Sequence, residues 1–253
     1  MISGERDIHF QCSGGWVGHG VMITGTDTGV GKTAIGVMLC ELLSRQGVRV
    51  RPRKPVESGC IESIDGLVGS DGLAYYKASG GVEPLSRICR YCLKPPLSPA
   101  RAAFLQGVDI CLQDMIEACH DGVDAGDFLL VEGAGGFCSP MAKDGLNSDL
   151  ALALGLPVLL VTSDRLGAIH QTISTAEAIA HRGLALAGVV LNQVAPDIDP
   201  SMRNADFLSR WLGRDVIEVA HLPVCEVSGR LDYPPGLVDL ATRLSDGSAM
   251  EFF

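Results

Sequence analysis

Aromatic residues are scarce in this chain, with two Trp, four Tyr and seven Phe among 253 residues. A sandwich held by aromatic cross-strand pairs has little material here. No run of about eighteen apolar residues occurs, so no spanning helix is expected. No block of Lys or Arg offsets the formal charge of −10. Nucleic acid and anionic membranes are therefore not expected as main partners, although a local nest of backbone N–H groups can still hold an anion. Residues 1–20 carry charges, Gly and Ser but no apolar stretch, and read as a loosely ordered extension instead of a signal peptide. A G-x-G-x-x-G fingerprint is absent, which removes a Rossmann dinucleotide reading.

Cysteine is not lacking, but its pattern excludes a disulfide framework. The nine cysteines are an odd count, and they are spread through apparent helices and strands. They read as thiols of a reducing, cytoplasmic protein. Cys89-x-x-Cys92 is the one metal-like spacing, without a second C-x-x-C or a Cys/His pair at finger spacing to complete a zinc site. The pair lies in a Pro-rich loop stretch and not at a strand-to-helix turn, so a redox role is not expected either.

Aliphatic residues and 31 glycines dominate instead, which suits a buried parallel sheet with Gly-rich turns. Residues 21–24 form a short apolar strand ending at Gly25. Beyond a loop, Ile35, Met38, Leu39, Leu42 and Leu43 mark one face of an amphipathic helix that stops near Gly47. Further strands are expected at 48–53, 127–132, 157–162, 185–191 and 216–222, with a helix over 168–181. The alternation predicts one α/β domain over residues 21–253, a mostly parallel sheet with helices on both faces, and the phosphate-loop pattern Gly31-Lys32-Thr33 between its first strand and helix makes it a P-loop domain. Ligands of such sheets gather at the carboxyl ends of the strands.

Polar residues mark those ends. In ITGTDTGVGKT, Gly29 and Gly31 allow the backbone to wrap phosphate at a helix N-terminus. Lys32 can reach the outer phosphates, and Thr33 can ligate Mg²⁺. Thr26 stands where a standard phosphate loop begins with glycine. Glu132 ends a buried strand before a glycine run, the place of a metal-holding acid. Asp71, in GSDG, reads first as the N-cap of a helix starting near Leu73, a role compatible with metal binding. Lys54, in KPVESG, follows a strand and can clamp a phosphoryl group or a substrate anion. Asn192 follows a late strand and offers an amide to a base.

Taken in order, G-T-D-T-x-V-G-K-T, K-P-V-x-S-G, V-E-G-A-G-G and A-G-x-V-x-N resemble dethiobiotin synthetase over roughly residues 21–225. The resemblance implies a cyclo-ligase of biotin biosynthesis that uses CO2 and ATP to close a ureido ring on diaminopelargonic acid. It implies that Lys32, Lys54 and Thr28 serve catalysis, and that Thr28 and Ser58 bind the reacting end of the substrate. Thr33, Asp71 and Glu132 would hold Mg²⁺. ATP would lie against Gly29, Val30, Gly31, Lys32, Thr33, Ala34, Asp71, Glu132, Gly133, Ala134 and Gly135, with Asn192, Gln193, Pro223, Val224 and Cys225 around the base. A homodimer is implied, in which Gly167, Ala168, Ile169 and His170 of one subunit receive the substrate's carboxylate tail from the other.

Three positions depart from the family pattern. Ala100 stands where histidine is usual, His170 where a smaller amide is expected, and Gln193 where aspartate is common. Two other readings of the same motifs are a regulatory P-loop domain without turnover and a related ATP-dependent ligase with a different substrate. A ParA-like ATPase fits less well, because Asp27 occupies the place of its loop lysine.

Overall fold

Strands that are apolar at nearly every position must be covered on both faces. The structure, a computed structural model, describes residues 19–248 apart from positions 65, 198, 200, 223–226, 228, 230 and 231. In chain order its elements begin β1 (His19–Gly25), α1 (Lys32–Arg45), β2 (Val50–Arg53), β3 (Val56–Ser58), β4 (Ile61–Ser63), β5 (Gly66–Val68), α2 (Ser70–Ala78), α3 (Leu85–Ile88) and β6 (Tyr91–Leu93). They continue with α4 (Pro99–Gln106), α5 (Leu112–His120), β7 (Phe128–Glu132), α6 (Asn147–Leu154), β8 (Val158–Ser163), α7 (Ala168–His181), β9 (Leu186–Asn192), α8 (Asn204–Leu212), β10 (Ile217–Val219) and α9 (Pro235–Ser245).

Six strands form the central sheet in the order β10-β9-β8-β1-β7-β2. Every neighbouring pair is parallel. The period of two then divides each strand between two cores. Val21, Ile23, Leu130, Leu159 and Val161 pack with α1, α2 and α9 on one face. Met22, Leu129, Val131, Val158 and Leu160 pack with α5, α6 and α7 on the other.

The expected strands all form, within a few residues of their predicted ends, and α7 covers the predicted 168–181. The last strand shrinks to Ile217–Val219. Because β1 starts at His19, it takes in the last two residues of the expected extension, whose residues 1–18 lie outside the described residues. Two small sheets were not expected: parallel β3-β6 and antiparallel β4-β5. Their strands are three residues each, too short to show a period. No described helix is long and apolar enough to cross a membrane.

The same alternation sorts two cations at the end of β2. Arg53 is fully buried and turns to Glu83, with Nη1 donating to Oε2 at 2.9 Å and Nη2 to Oε1 at 3.0 Å. Lys54, one residue on, turns instead toward Glu132 at the end of β7.

Parallel packing also explains Gly20 in β1. A Cβ there would lie 2.4 Å from the Leu129 carbonyl oxygen and 2.8 Å from Leu156 Cδ2. Gly20→Ala is expected to cost about 1–3 kcal/mol, the usual scale of overpacking. Urea unfolding would show this as a lower midpoint with an unchanged slope, and an unchanged midpoint would contradict it.

Candidate active site

The loop between β1 and α1 is shaped by two left-handed glycines, Gly29 at φ 75° and Gly31 at φ 91°. Gly31 is the N-cap of α1 and supplies no side-chain cap, so the first-turn N–H groups are left for an anion. A Cβ at Gly29 would meet nothing within 4 Å, and one at Gly31 would lie 2.1 Å from Asn192 Nδ2. Lys32 Nζ donates to the Asp27 carbonyl at 2.9 Å, while Asp27 Oδ1 accepts the Thr28 N–H at 2.7 Å. Asp27 therefore braces the loop. Thr26 Oγ1 donates to Thr162 Oγ1 at 3.1 Å, so the residue in glycine's place ties the loop to β8. Burial brings the Lys32 pKa down from 10.5 to about 8, with Glu132 opposing the shift.

Beside this loop a charged cluster fills the carboxyl edge of the sheet. Lys54 Nζ donates to Glu132 Oε1 at 2.5 Å and Gly133 O at 3.2 Å, and stands 3.0 Å from Asp71 Oδ2. Glu132 also accepts the Thr33 hydroxyl at 3.0 Å and the Tyr75 hydroxyl at 2.7 Å. Burial alone would lower the Lys54 pKa, but the charges of Glu132 and Asp71 outweigh it and hold the pKa above the usual lysine range. For Asp71, burial would raise the pKa, and Lys54 pulls it below the usual carboxylate range.

Asp71 is not the cap of its helix. Gly69 is the N-cap of α2, and Asp71 lies within the first turn with its carboxylate on Lys54. The helix also begins at Ser70, earlier than expected. The capping acceptor is Glu57 in β3, which takes the N–H groups of Asp71 and Gly72 at 2.9 Å each. Any side chain at Gly69 would collide with it, since a Cβ there falls 2.1 Å from Glu57 Oε2.

The far wall is set by Asn147, fully buried at the start of α6. Its Oδ1 accepts the Ala134 N–H, and its Nδ2 donates to the carbonyls of Ala134, Gly136 and Ser139. The Gly133–Ala134–Gly135 turn is thereby clamped. A cavity of about 590 Å³ lies between these parts. Its lining joins Thr28, Gly29, Gly31, Lys32, Thr33, Lys54, Ser58, Asp71, Glu132, Ala134 and Gly135. Glu57, Ser139 and the segment Pro96, Leu97, Ser98 and Pro99 complete it.

Other predicted site residues lie apart. Val30 is buried, and its carbonyl accepts Asn192 Nδ2 at 3.0 Å, while Ala34 packs against the core. Gln193 ties the end of β9 to its neighbours, its N–H donating to Val219 O and its Oε1 accepting the His221 N–H. Pro223, Val224 and Cys225 lie outside the described residues. Gly167, Ala168, Ile169 and His170 open α7 without lining the cavity. Gly167 is again left-handed at φ 92°, and the Ala168 N–H bonds Arg165 O. Ala100 sits in the first turn of α4 and does not line the cavity.

Sequence reasoning missed Glu57, Tyr75, Asn147 and Ser139. Only Glu57 carried a signal, as a carboxylate inside KPVESG. The donor set around Lys54 is all oxygen: the Asp71 and Glu132 carboxylates and the Thr33 hydroxyl. That chemistry fits a hard cation such as Mg²⁺, which would share the two carboxylates with the ammonium. The uncapped turn of α1 and the open position beside Gly29 fit polyphosphate.

Comparisons with known proteins show what the chain is similar to. Residues 19–238 match the AAA domain family. An ATP-dependent dethiobiotin synthetase BioD of Anaeromyxobacter dehalogenans (strain 2CP-C) is 41% identical over 197 residues, covering 78% of this chain and 86% of that protein. The protein of the same name from Ruthia magnifica subsp. Calyptogena magnifica is 37% identical, covering 78% and 89%. Among solved structures, the cell division ATPase MinD of Pyrococcus furiosus aligns with a TM-score of 0.52 at 19% identity, covering 90% of this chain and 99% of that one. A ParA family ATPase from Chlorobium tepidum TLS gives 0.51 at 13%, covering 91% and 98%. At such identities the likeness is one of fold.

Tyr75 provides a test of the cluster. A Cβ on Gly36 would lie 1.8 Å from the Tyr75 hydroxyl, so α1 has a glycine where this oxygen passes to Glu132. Tyr75→Phe strips a donor from a buried carboxylate and is expected to cost about 1–3 kcal/mol. Gly36→Ala is expected to destabilise the wild type more than the Tyr75→Phe variant. Additive losses in a urea double-mutant cycle would contradict this packing.

Proposed function

This chain belongs to the dethiobiotin synthetase family, and from that premise we propose that it converts diaminopelargonic acid, CO2 and ATP into dethiobiotin, ADP and phosphate. The observation that carries the reading is the cavity in which the phosphate loop faces Lys54 and Ser58. ATP-phosphate chemistry on one side and an anion-binding lysine on the other are what phosphorylation of a carbamate requires.

In the first step an amine of the substrate attacks CO2; a C–N bond forms and the amine loses a proton, leaving a carbamate. A carbamate oxygen then attacks the γ-phosphorus, the bond to the β-phosphate oxygen breaks, and ADP leaves. The second amine attacks the carbonyl carbon, closes the ring, loses its proton and expels phosphate. Phosphoryl transfer asks a protein for position and fixed charge more than for covalent chemistry.

Lys54 supplies that charge. Its partners keep it protonated, so it acts as a fixed cation toward carbamate and phosphoryl oxygens and not as a base. Lys32 sits on the nucleotide side, and Thr28 and Ser58 bind the reacting end of the diamine. Thr33, Asp71 and Glu132 would hold Mg²⁺, which would supply positive charge to offset the negative charge of the phosphates. Asn192 and Gln193, with the segment 223–225, take the base; Asn192 keeps its acceptor oxygen for this while Nδ2 holds the loop.

We place the substrate's carboxylate tail on the first-turn N–H groups of α7 from a second subunit, making the working unit a homodimer. This is supported by Gly167–His170 not lining their own subunit's cavity and by the exposed Leu166, Phe207 and Trp211 on and beside α7 and α8. The free cysteines suit a reducing cytoplasm.

Purified protein is expected to release ADP only when diaminopelargonic acid and bicarbonate are both present. Equal ADP release without the diamine would reject the synthetase reading, including in favour of a domain without this turnover. Lys54→Ala is expected to lower turnover by at least about a hundredfold, the scale of losing one preorganised charge, while ATP binding measured by calorimetry persists. Loss of ATP binding instead would move Lys54 out of the substrate's half of the site.

A further inference from the structure

We propose that Cys60, Cys89 and Cys92 form a peroxide-reactive thiol site, in which a hydroperoxide converts the Cys89–Cys92 pair to a disulfide. The sequence spacing showed only two of these thiols; the small β3-β6 sheet brings in the third. Cys92 lies in β6 opposite Glu57 of β3, and Cys60, two residues past β3, donates its N–H to Leu93 O at 2.9 Å. The Cys89 and Cys92 sulfurs are 3.5 Å apart. The Cys60 thiol interacts with Cys92 and lies 3.3 Å from the Glu57 carbonyl. No group of three or more His, Cys, Asp or Glu among the described residues is placed to hold a metal ion.

The three sulfurs are not equivalent. Cys60 and Cys89 are buried, while Cys92 is half-exposed and open to a small oxidant. Hydrogen bonds from the thiols of Cys60 and Cys89, with the Gly69 N–H at the start of α2, hold the Cys92 pKa below the usual thiol range. Its thiolate attacks the hydroperoxide; an S–O bond forms, the O–O bond breaks, and the departing oxygen takes up a proton. The Cys89 thiol then attacks the Cys92 sulfenic acid, forming S–S and releasing water with the thiol proton. Two thiols lose two electrons, and the peroxide gains them.

Bridging must bring the sulfurs from 3.5 Å to about 2 Å. Cys89 has no slack toward α2, since a Cβ on Gly72 would lie 2.8 Å from Cys89 Cβ. Gly72 follows Asp71, and both their N–H groups are held by Glu57, which faces Cys92 across the small sheet. The disulfide therefore displaces the first turn of α2 and disturbs the contact of Asp71 with Lys54. This last step rests on the reading of Asp71 as a site residue; formation of the disulfide does not.

The test treats purified, desalted protein with hydrogen peroxide, blocks remaining thiols with iodoacetamide and digests with trypsin. Trypsin cuts after Arg90 between the two cysteines, so the disulfide appears by mass spectrometry as two linked peptides. Wild type is expected to give the linked pair and lose about fivefold or more of its diamine-dependent ADP release, with recovery in dithiothreitol. Cys92→Ser, or Cys92→Ala if the serine variant does not fold, is expected to keep its activity under peroxide. Absence of linked peptides once the exposed Cys138 is oxidised overturns the proposal. So does a Cys92 variant that loses activity as fast as wild type, and linked peptides with full activity overturn the coupling to Asp71. If untreated protein shows no diamine-dependent turnover, the synthetase reading fails, and the peptides alone decide this one.

Discussion

Lys54 is only 3% exposed, with Glu132 2.5 Å away and Asp71 3.0 Å away. An unpaired ammonium at that depth would cost several kcal/mol, and a lone Glu132 would cost about as much. Each charge is tolerable only because the other is there with its hydrogen bonds satisfied. The surrounding structure serves that requirement. Tyr75 and Thr33 donate to Glu132, Gly133 O accepts from Lys54, and glycine at position 36 leaves the tyrosine oxygen room to arrive. Removing any one partner leaves a buried polar atom without its mate, so the cluster behaves as a unit.

The sheet makes this cluster possible by direction. All neighbouring central strands are parallel, so Gly25, Arg53, Glu132, Ser163 and Asn192 end at one edge. Loops leaving that edge carry the phosphate loop, Lys54 and the clamped glycine turn into one cavity. The opposite cation, Arg53, goes to Glu83 because successive side chains of a strand point to opposite faces. One strand end thus supplies a structural ion pair and a chemical one.

Glu57 links this edge to the small sheet. By accepting the N–H groups at the start of α2 it fixes the turn that carries Asp71, and across β3-β6 it faces Cys92. The site is therefore coupled to the small sheet, whose partner strand β6 carries none of the family motifs.

Much of this was open to sequence reading because local rules govern it. A β-strand, two glycines and Lys-Thr before an amphipathic helix specify a phosphate loop through backbone conformation alone, and apolar strands alternating with helical periods specify a covered parallel sheet. Thr26, Asp27 and Lys54 were recognisable by position, and the hydrogen bonds give Thr26 and Asp27 their role as braces of the loop. Asp71 was placed as a cap because local rules favour an acid before a helix, and tertiary structure gave that task to Glu57. Tyr75 and Asn147 were silent, for their partners lie 57 and 13 positions away and no spacing rule spans such distances. The sequence by itself determined which segments form the strands of the central sheet, which loop receives phosphate and which family the motifs belong to. Which carboxylate neutralises Lys54, which one caps α2 and which thiols meet was decided only in the folded chain, because charge pairing and burial depend on distances that packing alone sets.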